Sequence, residues 1–171
     1  MQLYLVKPSS DLEQAYENFR TDWKQRQEKI VPFAVRGDGL TYPQLLQTLH
    51  RRETAPEEGQ VPATVFFLIN EKQEILGAID IRHRLNDYLL SYGGHIGYGV
   101  RPSYRGRGLA AKMLSMALPY VKKLGIDRAL ITCDKENPAS AQTILRCGGV
   151  LEDERFLEGE WVQRYWIELP C

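Results

Sequence analysis

The stretch from His95 to Val121 limits the possible folds more than any other part of this chain. It holds a glycine-containing strand (His95-Ile96-Gly97-Tyr98-Gly99-Val100) and a proline turn (Arg101-Pro102-Ser103-Tyr104). Two glycines follow, Gly106 and Gly108, and then a helical pattern with Leu109, Met113, Leu114, Ala117, Leu118 and Val121 on one face. A helix start leaves its first N–H groups without internal partners, and its dipole favours an anion there. Glycines let the backbone approach a phosphate closely. Arg101, Arg105, Arg107 and Lys112 add cationic side chains. Together these features describe a phosphate or pyrophosphate site on Arg105–Ala110.

Three phosphate motifs compete for this segment. The Walker pattern fails, because no Lys-Ser/Thr pair follows the glycines. Gly106-x-Gly108-x-x-Ala111 fits the dinucleotide fingerprint in its alanine form. That fingerprint belongs to a tight turn in repeated βαβ units. Here five residues, one of them proline, separate Val100 from Gly106, and no repeated βαβ units follow. The third pattern, R/Q-x-x-G-x-G/A, is met by Arg105-x-x-Gly108-x-Ala110.

The rest of the chain supplies the surroundings. Leu3–Val6 reads as a strand, followed by an expected capping box at Ser10-Asp11-Leu12-Glu13 and a helix with Leu12, Ala15, Tyr16, Phe19 and Trp23 on one face. Thr41-Tyr42-Pro43-Gln44 predicts a second box and helix. Thr64–Ile69 and Glu74–Ile81 read as a hairpin. Pro119 should kink or shorten the helix after Gly108, with Gly125 as its C-cap. Asp127–Cys133 is a further strand, and Asn137-Pro138 caps and starts another helix. Val150–Phe156 and Val162–Leu169 form a last strand pair.

The run His95–Gly108 resembles the cofactor motif of the GNAT acetyltransferase superfamily. The resemblance extends to Asn137-Pro138-Ala139-Ser140 and to the order of elements over nearly the whole chain. It implies an α/β (α+β) fold: a single domain over residues 1–171, with a mixed central sheet of about seven strands and about four helices, splayed between the fourth and fifth strands. It also implies an acyl-CoA-dependent N-acyltransferase using acetyl-CoA. Tyr98, Gly99 and Val100 would run along the pantetheine arm. Arg105, Gly106, Arg107, Gly108, Leu109 and Ala110 would hold the pyrophosphate, and Asn137 and Ser140 would face the pantetheine or thioester end. His95 is the candidate base, set against a structural strand histidine. Tyr98 is a candidate acid beside Tyr104 and Tyr92, because Ile144 stands where the family usually has a tyrosine. The connection Arg82–Tyr88, with Arg20, Trp23 and Tyr42, could shape the acceptor pocket, although Trp23 fits the core better. A non-catalytic CoA- or nucleotide-binding module is the alternative reading.

Composition narrows the partners. Lysine and arginine together number 22, as do the acids, so a broad nucleic-acid surface is not expected. No apolar run suits a membrane span, and Met1–Val6 is too short for a signal segment. Cys133, Cys147 and Cys171 lack a C-x-x-C pair; they read as reduced thiols of a cytoplasmic protein, with no metal expected. The family resemblance implies a small-molecule or peptide amine as acceptor, and the C-terminal strand pair could form a homodimer edge.

Overall fold

The computed structural model describes residues 1–170. Seven strands are present: β1 (Leu3–Val6), β2 (Ala63–Asn70), β3 (Ile75–Arg82), β4 (Ile96–Val100), β5 (Arg128–Asp134), β6 (Val150–Leu157) and β7 (Glu160–Glu168). The four α-helices are α1 (Glu13–Gln25), α2 (Tyr42–Thr54), α3 (Leu109–Lys123) and α4 (Pro138–Arg146). The strands divide into two antiparallel sheets, ordered β1-β2-β3-β4 and β5-β7-β6. The division falls between the fourth and fifth strands.

The first sheet is covered on both faces, which is why β2 reads as an unbroken apolar run. Val65, Phe67 and Ile69 pack with Tyr16, Phe19, Trp23 and Leu45 of α1 and α2. Leu68, with Phe66 packed at the margin, points to the opposite face, where Met113, Leu114, Ala117 and Val121 of α3 lie. The two-residue alternation of the strand thus feeds two separate cores.

Local capping signals act unevenly. Thr41 and Gln44 form both halves of the box that opens α2. The box expected at Ser10 does not form. The chain instead makes a 3-10 turn over Ser10–Leu12, with Leu12 N–H donating to Ser9 O at 3.1 Å, and Leu12 is buried. Anchoring that leucine in the core outweighs the side-chain cap. Pro119 neither shortens nor interrupts α3. A proline frees the carbonyl four residues earlier, here that of Ser115, and in the same stretch of α3 the Cys147 thiol donates to the Ala111 carbonyl at 3.4 Å.

The irregular connection before β4 contains one turn of π-helix, Leu89–Gly93, held by an arginine from each sheet. Arg82 of β3 donates through Nη1 to Gly93 O at 3.0 Å. Arg164 of β7, 2% exposed, donates to Leu90 O through Nε (3.1 Å) and Nη2 (2.9 Å), and its Nη1 pairs with Glu152 and Asp153. Arg82 is balanced by buried Asp80, which also takes a two-pronged contact from Arg52 of α2, at 3.1 and 3.0 Å. Asp80→Asn removes the buried counter-charge of the half-buried Arg82 guanidinium. This variant is expected to lose about 3–5 kcal/mol of stability in urea unfolding.

Candidate active site

One residue pair hydrogen-bonds the edge of the first sheet to the second. His95 N–H donates to Leu130 O at 2.7 Å, and Leu130 N–H donates to His95 Nδ1 at 2.9 Å. Beyond it, Ile96–Val100 pairs with β3 and Arg128–Asp134 pairs with β7. Two cavities open at the divergence, one of about 740 Å³ and one of about 320 Å³. Val31, Tyr98, Asn137 and Ser140 line both.

His95 is buried, and desolvation, with the nearby Arg82 charge, lowers its pKa from 6.5 to about 4. It is neutral at pH 7. Because Nδ1 accepts from Leu130, the ring proton sits on Nε2. The histidine therefore has no free lone pair, and it lines neither cavity.

The larger cavity gathers Tyr98, Gly99, Val100, Arg105, Gly106, Gly108, Leu109, Ala110, Asn137 and Ser140 on its wall. Arg107 stands apart from it, 4.9 Å over the Tyr104 ring and 3.5 Å from Ser103 O. The turn before the loop is pinned to α1 by Asp22, whose Oδ2 accepts from Ser103 N–H (3.0 Å) and Arg101 Nε (3.1 Å). Burial alone would raise the Asp22 carboxyl, but those hydrogen bonds outweigh it and hold the group below its usual range. Gly108 caps α3 with φ +71°, a backbone that side chains resist. Lys112 N–H is the donor returning to Gly108 O, so the amides of Leu109, Ala110 and Ala111 precede the helical ladder. Arg146 of α4 adds a cation to the same wall.

At the opposite end, Asn137 Oδ1 accepts from Ser140 N–H at 3.2 Å and caps α4. The Tyr98 hydroxyl reaches across from β4 to Ser140 Oγ (2.8 Å) and Ser140 O (3.3 Å). Burial pushes Tyr98 up to about 12. The smaller cavity adds Tyr92, Thr132, Cys133 and Asp134. Burial pushes the Cys133 thiol up to about 11, and it raises Tyr92, with Asp134 next and the Glu158 and Glu160 charges contributing. Cys133 and Cys147 are free thiols, and Cys171 lies outside the described residues.

Other expectations for the acceptor side resolve differently. In the connection before β4, Tyr92 and Gly93 border the cavity, whereas Arg82 turns inward and His83 bonds Thr64 Oγ1 at 2.7 Å. Tyr42 packs among the N-terminal helices and donates to Ser9 O. Trp23 is in the core and also borders the larger cavity. Val31 and Asp134 went unread in the sequence. Asp134 lies three residues before the Asn137 cap, and that polar strand-to-helix corner could have indicated it. Val31 carries no local signal. It reaches the site because Gly99 has no side chain: a Cβ there would lie 2.2 Å from Val31 O.

No group of three or more metal-ligating side chains occurs among the described residues, and no helix among them is long and apolar enough to cross a membrane. The model of the acetyltransferase (GNAT) domain family matches residues 2–150. A ribosomal-protein-serine acetyltransferase of Escherichia coli (strain K12) is 31% identical over 87 residues, covering 50% of this chain and 47% of that protein. The match thus spans about half the relative's length. Among solved structures, Mycobacterium smegmatis RimJ in complex with CoA-disulfide superposes with TM-score 0.72 at 17% identity, covering 97% of this chain and 81% of that one. A dodecameric spermidine N-acetyltransferase from Vibrio cholerae gives 0.66 at 16% identity, covering 98% and 94%. These two likenesses show the shared fold.

The histidine link has a pH signature. The folded value near 4 lies below the ordinary 6.5, so the unfolded chain takes up a proton first as pH falls. The link's stability is whole above pH 6.5 and is lost as pH falls toward 4, by roughly 3 kcal/mol. His83, lowered mainly by burial, adds in the same direction. Urea unfolding across this range should show the loss. His95→Gln, which keeps a neutral acceptor for Leu130, should flatten it.

Proposed function

The chain belongs to the acetyltransferase (GNAT) domain family, and on that footing we propose that it transfers an acetyl group from acetyl-CoA to a primary amine. The observation that carries this reading is that the two cavities share one wall, made of Val31, Tyr98, Asn137 and Ser140. A wall of open backbone amides at the start of α3 leads past β4 to the Tyr98–Ser140 pair, where a second, smaller chamber begins.

The chain's groups suit the cofactor. The amides from Gly106 to Ala111 suit a pyrophosphate at a helix start, with Arg105 and Arg146 as cations. The backbone of Tyr98, Gly99 and Val100 borders the same cavity and suits the pantetheine arm. When bound, acetyl-CoA supplies a thioester carbonyl open to direct attack by an amine.

Two proton tasks remain for the protein. An alkyl ammonium, with pKa about 10, must shed a proton before it can attack. His95 is committed to Leu130, so we assign it the positioning of β4 against β5. Asp134 is the carboxylate on the smaller cavity and takes the role of proton acceptor, directly or through water. The leaving thiolate must be stabilised. Tyr98 near 12 is a far weaker acid than a thiol near 8.5, so its hydroxyl stabilises the thiolate by donating a hydrogen bond rather than by yielding its proton. It thereby supplies the polar group that Ile144, buried in the core, does not. The carboxylates Asp134, Glu158 and Glu160 around Tyr92 favour an acceptor that arrives as a cation. The substrates named for the relatives, spermidine and a ribosomal-protein serine, make sensible first acceptors.

Thiol release from acetyl-CoA should appear with a member of a panel of polyamines and serine-starting peptides. Tyr98→Phe is expected to lower kcat by about a hundredfold with CoA binding retained. Gly108→Val should weaken CoA binding more than about tenfold by straining the loop. Acetyl-CoA binding without thiol release across the panel would instead support a non-catalytic CoA-binding module.

A further inference from the structure

The connection between α1 and α2 runs as a strap across β4, and one side chain fastens it to the loop before α3. Gln27 turns the chain with φ +57°. Glu28 N–H returns to Trp23 O at 3.1 Å, and Arg36 Nε holds Ile30 O at 2.8 Å. Val31 then lies with its carbonyl on Gly99 and borders both cavities. The fastening is Glu28, whose two carboxylate oxygens accept from Arg105 Nη1 (3.0 Å) and Nη2 (2.7 Å). The Arg105 guanidinium also lies 5.0 Å over the Trp23 ring. Trp23 is 2% exposed and borders the larger cavity, and its Nε1 has no acceptor among the described residues.

A guanidinium fork satisfied by a carboxylate cannot present the same N–H groups to a phosphate. Arg105 opens the segment read above as the pyrophosphate loop, and the inference rests on that reading. We propose that Glu28 is a positioning residue that sets cofactor affinity. It holds Arg105 in the free protein, an incoming pyrophosphate takes Arg105 from it, and the exchange unfastens the strap that carries Val31. Cofactor occupancy is thereby reported to the wall of the acceptor cavity. The pair is about half exposed, with side-chain accessibilities of 45% and 42%, so the exchange is worth no more than about an order of magnitude in affinity.

Calorimetric titration of the whole chain with CoA, and with pantetheine, which lacks the phosphates, tests this. Glu28→Gln frees Arg105. Glu17→Gln removes the same charge from α1, where Glu17 pairs with Arg20, and serves as the control. Glu28→Gln is expected to bind CoA about three- to tenfold more tightly than wild type, with pantetheine affinity unchanged and Glu17→Gln like wild type. Unchanged CoA affinity in Glu28→Gln, an equal gain in Glu17→Gln, or an equal gain for pantetheine overturns the proposal while leaving the cofactor loop standing. Failure of the wild-type chain to bind CoA at all overturns the loop reading and this inference with it.

Discussion

Two hydrogen bonds between His95 and Leu130 decide where this protein can have a cleft. They join the first sheet to the second at one residue pair, after which each strand turns to a partner in its own sheet. A strand edge left unpaired inside a fold is costly, because its N–H and C=O groups must find partners or water. Here the open length of β4 and β5 lines two cavities that share Val31, Tyr98, Asn137 and Ser140. The histidine serves better than a second backbone pair would. Its ring satisfies the Leu130 N–H and, standing between the strands, starts their divergence. Burial keeps the ring neutral, so the link is a hydrogen bond without a charge to desolvate.

The turn beside this junction shows how the two sheets are kept in one geometry. Arg82 from the first sheet and Arg164 from the second both donate to carbonyls of the same π-helical turn. A buried guanidinium stabilises only when its donors are matched and its charge is balanced. Asp80 balances one, and Glu152 and Asp153 balance the other. The turn therefore cannot shift without leaving polar groups unsatisfied on both sides, and Tyr92 and Gly93 border the smaller cavity from a fixed base.

Much of the site could be read from the sequence because it is local. The loop Arg105–Ala110 and the caps at Thr41 and Asn137 depend on residues within one helical turn of each other, and each stands as its residue types dictate. Features set by distant contacts could not be read this way. Ser10 has the letters of a capping box, but burial of Leu12 sets that corner. Pro119 sits in mid-helix without a break, with Cys147 from the end of α4 bonded to the nearby Ala111 carbonyl. His95 stands at the head of the expected strand, just before Ile96, and its partner Leu130, 35 positions away, could not be read from local spacing. Val31 reaches the cavities only because the glycine opposite it is bare.

The order β5-β7-β6 has a consequence for how the chain must be made. The strand at the centre of the second sheet is the last of the seven in sequence, so β5 and β6 leave the ribosome before the element that joins them. During that interval β5, whose Ala129, Leu130 and Ile131 are fully buried in the finished fold, has no strand partner in its own sheet. Until β7 docks, the second sheet therefore has no paired strands, and the edges of β5 and β6 are open to unwanted pairing.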